Sequence, residues 1–133
     1  EDTDAFNSIM QAYSMPKSSN EEKKVRDNHI QIATKNAIEI PFKIMQFSHD
    51  SLEIIEEMVL NGNPNSITDV GVAMHCINAA IHGAFLNVKI NCNDLNDKKF
   101  VKNILSKGEK IIKKTALVEK RVLSKIEKIL KIN

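Results

Sequence analysis

The chain has 133 residues, enough for one domain with a buried core but too few for two. Hydrophobic residues make up 42% and charged residues 27%, and the four glycines and three prolines are too few for a turn-rich all-β design. Tryptophan is absent and aromatic residues are only 5%, which argues against stacking on nucleic-acid bases. The sequence lacks an apolar run of membrane-spanning length. We expect one helical domain over residues 1–133, with neither nucleic acid nor membrane as a partner.

Charge is distributed unevenly along the chain. From Asp97 onward there are twelve Lys or Arg residues against four Asp or Glu residues. This basic segment is typical of the solvated face of a terminal helix, and it could also attract a polyanionic ligand. Cys76 and Cys92 fit no metal-ligand or disulfide pattern, so we expect free thiols and a cytoplasmic protein.

The pattern of apolar residues predicts four helices, of which the first two fill the N-terminal half. The first covers residues 3–13. Ser18 and Ser19 are each followed three residues later by a glutamate, a doubled capping box that should open a long second helix. Helical spacing of apolar residues continues to Val59, and its phase is kept across Pro41. We therefore expect Pro41 to kink the second helix without ending it.

The segment 61–65 should end the second helix, and Ser66 should begin the third. Asn61 and Gly62 tolerate the left-handed conformation that often terminates a helix. Ser66 and Asp69 have the spacing of a capping box. The predicted third helix runs from Ser66 to about residue 88.

The third helix is apolar almost all round, which predicts burial on every side. Many small residues along it, such as Ala79 and Gly83, would let neighbouring helices approach closely. In so short a chain, such burial should need a second subunit. The last helix, about 97–130, has apolar residues near a 3.5-residue repeat and should run antiparallel along the bundle or the dimer seam. The predicted fold class is therefore all-α: a dimeric bundle of long antiparallel helices.

Asp69 is the strongest candidate for a functional residue. Its ordinary role would be to cap backbone N–H groups, whereas a free carboxylate there could accept a proton or orient a ligand nitrogen. Asn87 and Asn91 lie where the third helix ends, and local capping is their ordinary role. Asp69 and Asn87 are five helical turns apart, on one face but about 27 Å from each other. Either they contact different parts of one long ligand, or an antiparallel copy of the helix brings one residue to the other.

A metal site is not predicted from the histidines. His75 and His82 are seven residues apart on the third helix, and the sequence places no further metal-binding side chains at ligand spacing. His29 and His49 lie among charged residues and are expected at the surface.

Three segments, in this order, carry a family resemblance. Residues 4–13 with the Met15-Pro16-Lys17 turn, residues 63–73 and residues 83–91 resemble the formiminotetrahydrofolate cyclodeaminase family. That family includes the C-terminal domain of formiminotransferase-cyclodeaminase and single-domain methenyltetrahydrofolate cyclohydrolases. The resemblance implies an all-α fold, homodimerisation and a folate-binding groove near the dimer interface. Members also open with a Gly-rich segment that this sequence lacks, so we expect it to represent the larger C-terminal part of the domain.

The resemblance also implies a reaction at the one-carbon unit that bridges N5 and N10 of tetrahydrofolate. The enzyme would be a cyclodeaminase or a cyclohydrolase, with a folate substrate and neither a metal nor a cofactor. Asp69 is the predicted catalytic residue, which shuttles a proton or orients the pterin. The predicted substrate-binding residues are Asn63, Asn65, Asn87, Asn91, Tyr13 and Lys17. The alternative is a catalytically silent helical dimer that serves as an assembly or ligand-binding module.

Overall fold

The computed structural model describes residues 2–130, and these residues are helical without a strand. The helices are α1 (Asp2–Ser14), α2 (Asn20–Asp50), α3 (Leu52–Asn61), α4 (Ile67–Cys92) and α5 (Lys98–Leu130). A 3-10 turn, Pro64–Ser66, joins α3 to α4. The all-α prediction is confirmed. Residue 1 and residues 131–133 of the predicted domain lie outside the described residues.

The predicted second helix is in fact two helices. It runs unbroken past Pro41 to Asp50, and α3 then begins at Leu52. Ser51 between them keeps helical backbone angles of φ −68° and ψ −12°, so the apolar periodicity passes through the break without losing phase. This explains why the sequence pattern missed the break, while the kink at Pro41 stays a prediction.

Of the doubled capping box predicted at the start of α2, only the box between Ser19 and Glu22 is present, and the box predicted at the start of α4 is absent. The Ser19 hydroxyl accepts a hydrogen bond from the Glu22 amide at 3.1 Å, and the Glu22 carboxylate accepts one from the Ser19 amide at 3.1 Å. Ser66, by contrast, makes no side-chain capping bond, because the chain enters α4 through a 3-10 turn. The predicted box between Ser66 and Asp69 is therefore absent.

Gly62 terminates α3 for a different reason from the one predicted. Its φ of −74° and ψ of 173° are extended, not left-handed. A Cβ atom at this position would run into the Met58 carbonyl group, whose oxygen accepts the Gly62 N–H at 2.9 Å. A close approach of backbone to backbone, and not positive φ, therefore favours glycine here.

Helices α2–α3, α4 and α5 all contact one another and pack around a common core. Phe85 lies against Gly108, and Gly71 lies nearest to Ile126, so α4 and α5 run antiparallel. Two apolar clusters follow one another along α4, one with α2 and α5 and one with α3 and α5. Their fully buried members include Ile38, Met45, Met74, Ile81, Val88 and Val122.

Helix α1 packs on α2 through small residues. Ala5 and Ala12 are its buried positions, whereas Phe6, Met10 and Tyr13 are 61%, 53% and 48% exposed. The large apolar side chains of α1 thus face away from the core of the subunit.

Cys92 lies in the core and Cys76 on the surface, and both are free thiols. Burial raises the pKa of the Cys92 thiol, and the nearby Lys98 ammonium opposes part of that rise. None of the helices within residues 2–130 combines the length and the apolarity that a membrane span requires.

The contact between Gly108 and Phe85 predicts a sensitive position. A Cβ atom at residue 108 would collide with the Phe85 ring, so Gly108→Val should lower the free energy of unfolding by about 1–3 kcal/mol through overpacking. Ser106→Val, at an exposed position on the same helix, is the matched control and should change it by less than about 0.5 kcal/mol. Urea unfolding followed by circular dichroism measures both, and equal effects would contradict the packing argument.

A second prediction concerns the polar contact between α4 and α5. Asn78 donates to both carboxylate oxygens of the partly buried Glu119, at 2.8 and 2.9 Å. Asn78→Ala leaves that carboxylate without its amide partner and should cost about 1–2 kcal/mol of unfolding free energy. Asn61→Ala removes an exposed Asn–Glu hydrogen bond within one helix and is the control, with an expected cost below about 0.5 kcal/mol. Thermal unfolding of both variants compares the two losses.

Candidate functional site

Asp69 lies in the first turn of α4 with an exposed side chain. Within residues 2–130 its carboxylate makes neither a hydrogen bond nor an ion pair. The capping role that the sequence favoured is therefore not the role the carboxylate has in this structure. The helix N-terminus favours negative charge nearby, and both carboxylate oxygens are available to an external group.

Asn63 and Asn65 precede Asp69 in the turn between α3 and α4. The Asn63 side-chain oxygen accepts a hydrogen bond from the Asn65 amide at 3.0 Å, which stabilises the turn. Asn65 is exposed, and its side chain has no hydrogen-bond partner within the described part of the chain. These two residues and Asp69 form the first group of predicted site residues, at one end of the bundle.

Asn87 and Asn91 belong to the opposite end of α4. The Asn91 side-chain nitrogen donates to the Ala37 carbonyl at 2.9 Å and so ties α4 to α2. Asn87 is exposed, without a side-chain hydrogen bond to any described residue. Asn91 thus has a structural contact that the sequence did not predict, while a ligand role for either residue stays a prediction.

Tyr13 and Lys17 lie near the start of α2. The Arg26 guanidinium donates to the Tyr13 carbonyl at 3.2 Å and lies 5.4 Å from the Tyr13 ring centroid. Because α2 and α4 are antiparallel, the start of α2 lies at the end of the bundle where α4 finishes. Tyr13 contacts Arg26 and Asn91 contacts Ala37, positions about 16 Å apart along α2, so they lie in the same half of the bundle without a printed contact between them. With Lys17 and Asn87 they make up the second group of predicted site residues.

The two groups lie far apart within one subunit. Eighteen residues of continuous helix separate Asp69 from Asn87, a distance of about 27 Å along the axis. Apolar clusters pack along α4 over that whole length and keep it extended. One subunit therefore does not bring the predicted catalytic carboxylate to the second group of predicted binding residues.

Two features of the surface were not predicted from the sequence. A groove of about 320 Å³ lies between α2 and α5, with Phe42, Phe100, Lys43 and Lys107 among its lining residues, and it contains none of the predicted site residues. On α4, His75 Nδ1 lies 3.5 Å from the carboxylate of Glu119, an ion pair only when the imidazole is protonated. Neither feature has a local sequence signal, because both depend on how α5 aligns with its neighbours.

Metal-ligating side chains do not converge in the described part of the chain. Residues 2–130 contain no group of three or more His, Cys, Asp or Glu side chains that could hold a metal ion. The predicted site residues supply one carboxylate, four carboxamides, a phenol and an ammonium group, which suit hydrogen bonding to a polar organic ligand and transfer of a proton.

One face of α4 is exposed in the single subunit, so burial on every side, which was expected to need a second subunit, stays a prediction. The helix buries Met74, Ile81 and Val88 in the core, yet Val72, Leu86 and Ile90 on its other face are 62%, 66% and 62% exposed. The same face carries Gly83, where an added Cβ atom would meet nothing within 4 Å. Glycine within a helix costs about 0.5–1 kcal/mol relative to alanine, and no packing contact in the subunit explains its presence.

The chain is similar in sequence to known proteins of one family. The chain is 31% identical over 127 residues to a methenyltetrahydrofolate cyclohydrolase of Methylorubrum extorquens, with 96% of this chain and 61% of that protein covered. It is 33% identical over 99 residues to the formimidoyltransferase-cyclodeaminase of Gallus gallus, with 74% of this chain and 18% of that protein covered. The chain therefore spans about three fifths of the cyclohydrolase and under one fifth of the two-function protein.

Comparison with solved structures finds the same family. The crystal structure of a formiminotetrahydrofolate cyclodeaminase from Thermotoga maritima superposes with a TM-score of 0.70 at 25% identity, with 98% of this chain and 59% of that chain covered. The formiminotransferase-cyclodeaminase family profile matches residues 1–110. The resemblance seen in the sequence is thereby confirmed, and the chain belongs to the formiminotransferase-cyclodeaminase family.

Proposed function

We propose that the protein is an enzyme of folate one-carbon metabolism that acts on the N5/N10 bridge of tetrahydrofolate. The observation that carries this proposal is the match to a methenyltetrahydrofolate cyclohydrolase along 96% of the chain. Relatives named for cyclodeamination match as well, so both reactions are candidates. In this proposal the enzyme is a cytoplasmic homodimer whose substrate is a tetrahydrofolate derivative.

Both candidate reactions pass through an intermediate in which the one-carbon unit is tetrahedral. In both, protons must move to or from the nitrogen and oxygen groups bonded to that carbon. In cyclodeamination, N10 attacks the formimino carbon on N5, and the tetrahedral intermediate expels ammonia to leave the methenyl bridge. In cyclohydrolysis, water adds to the methenyl carbon, and cleavage of its bond to N5 gives the 10-formyl product. Neither reaction changes the oxidation level of the one-carbon unit, so neither requires a redox cofactor.

The Asp69 carboxylate is suited to the proton-transfer role. It is exposed, and no described residue occupies its oxygens, so it can accept a proton from an attacking water or amine and return it to the leaving nitrogen. Alternatively, it can orient the pterin by accepting hydrogen bonds from its N–H groups. Carboxamides such as Asn65 and Asn87 can both donate to and accept from the pterin amide edge.

A direct assay distinguishes the reactions. The protein is incubated separately with 5-formimino-tetrahydrofolate and with 5,10-methenyl-tetrahydrofolate while the methenyl chromophore is followed. Its appearance from the first substrate indicates cyclodeamination, and its accelerated loss from the second indicates cyclohydrolysis. The second candidate function is a catalytically silent helical dimer, which the separation of the two groups of site residues within a subunit favours. An unchanged chromophore in both reactions would support that candidate.

Substitution of Asp69 tests its catalytic role. Asp69→Asn keeps the size and exposure of the side chain but removes the base, so kcat should fall by about 10²–10⁴-fold. Asp50→Asn, which neutralises an exposed aspartate at the end of α2, is the matched control and should leave turnover near the wild-type value. Wild-type turnover in a correctly folded Asp69→Asn protein would remove Asp69 from the mechanism.

A further inference from the structure

The groove between α2 and α5, called the α2–α5 groove below, is built from two successive turns of each helix. Helix α2 lines it from Glu39 to Gln46, and α5 lines it from Phe100 to Lys107. Seven residues of helical rise make it about 10 Å long, and its volume is about 320 Å³. These dimensions are at the lower end of the range for sites that bind small organic molecules.

The floor of the α2–α5 groove is apolar and belongs to the core. Phe42 and Ile104 are 9% and 5% exposed, and Phe100 is partly buried against the same apolar cluster. Because core packing fixes these side chains, the groove exists before a ligand binds. The two phenyl rings favour a flat aromatic ligand, which can pack on them in an offset or edge-to-face arrangement.

The rim of the groove carries two lysines on opposite sides. Lys43 extends from α2 and Lys107 from α5, and both are exposed. Neither ammonium group forms an ion pair with any residue in the described range 2–130. Two unpaired cations beside an apolar floor favour an anionic ligand, because the floor excludes part of the water that would otherwise screen the attraction.

The register of α5 on α2 brings the two rim lysines to the same level. The Lys35 ammonium lies 4.5 Å from the centroid of the Phe100 ring, and His49 Nδ1 lies 3.5 Å from the Thr115 hydroxyl. Both contacts show the two helices running parallel, with paired positions 65 or 66 residues apart. The position opposite residue 43 is therefore residue 108 or 109, next to the lysine on α5. One anionic group can thus lie between both ammonium groups.

Glu39 gives the other end of the groove a different polarity. It lies one helical turn before Lys43 on α2 and is half-buried. Its carboxylate makes neither a hydrogen bond nor an ion pair with another residue of the described chain. A half-buried carboxylate is stabilised by hydrogen-bond donors, so this end of the groove favours N–H groups on a ligand.

We propose that the α2–α5 groove binds a small planar aromatic anion that has N–H donors at the end remote from its charge. The ring packs on Phe42 and Phe100, the anionic group lies between Lys43 and Lys107, and the N–H donors point to Glu39. The groove contains none of the predicted folate-site residues, so this is a separate site and the proposal does not rest on the proposed function.

Titration with 6-amino-2-naphthoate tests the location of the site and its preference for charge. This probe has a flat ring, a carboxylate at one end and an amino group at the other. In ¹⁵N–¹H NMR spectra, saturable shifts should centre on residues 39–46 and 100–107. The uncharged 6-amino-2-naphthamide should bind at least about tenfold more weakly, because it loses two ion pairs worth up to about fivefold each. Shifts centred elsewhere, or equal affinities, would overturn the proposal.

Substitution of the rim lysines tests their part in binding. Lys43→Gln and Lys107→Gln should each weaken binding of the naphthoate about threefold to fivefold and leave binding of the naphthamide unchanged. Lys120→Gln, at an exposed lysine on another face of α5, is the matched control and should change neither affinity. Affinities for the naphthoate that stay at the control value in both rim variants would overturn the proposal.

A comparison with 2-naphthoate tests the end of the groove at Glu39. This probe lacks the amino group and should bind to the wild type about tenfold more weakly than the amino probe. Glu39→Ala removes the acceptor, so it should bring the two affinities within about twofold of each other. Equal affinities for the wild type would refute the preference for N–H donors.

Kinetics with a tetrahydrofolate substrate separate this site from the proposed active site. The KM of Lys43→Gln and Lys107→Gln should stay within about twofold of the wild-type value, because neither residue is a predicted site residue. A rise in KM that parallels the loss of probe binding would place the substrate itself in the groove and overturn the separate site. A wild type without turnover would refute the proposed function, and the NMR titrations would still decide whether the groove binds its ligand.

Discussion

The rigidity of α4 is the constraint on which the rest of the molecule depends. One face of this helix packs against α2 and α5 near its C-terminal end and against α3 and α5 near its start, so two apolar clusters hold it straight along its length. Bending it would expose side chains as deeply buried as Met74 and Ile81. The polar residues at its two ends are therefore held apart by the same packing that gives the subunit its core.

The start of α4 shows how local structure leaves a carboxylate available. The turn before the helix is stabilised by the Asn63 side chain and by the close approach of Gly62 to the Met58 carbonyl. The first turn of α4 thus forms without help from the Asp69 side chain. A residue that the backbone does not need for capping, placed where the helix dipole favours negative charge, is well suited to a chemical role.

Periodicity and composition predicted most of the fold, while the details of its junctions required the structure. The capping box at Ser19 was correct because α2 begins from an extended residue. The same spacing at Ser66 was wrong, since a preceding 3-10 turn changes the geometry without altering the Ser-x-x-Asp pattern. The break between α2 and α3 was missed because Ser51, which lies at the break, keeps helical backbone angles. The contact between Asn78 and Glu119 had no local signal at all, because the packing of α5 alone sets its register.

The magnitude of burial indicates that an association restricted to the exposed face of α4 would be weak. Covering the three large aliphatic residues Val72, Leu86 and Ile90 gains about 1.5–3 kcal/mol each. Their sum is of the same order as the roughly 4–15 kcal/mol that association costs in lost translational and rotational freedom. A stable pair therefore needs further apolar area. The subunit still exposes Phe6 and Met10 on α1 and Phe47 on α2. An association through the exposed face of α4 would therefore take much of its free energy from apolar surface outside that helix.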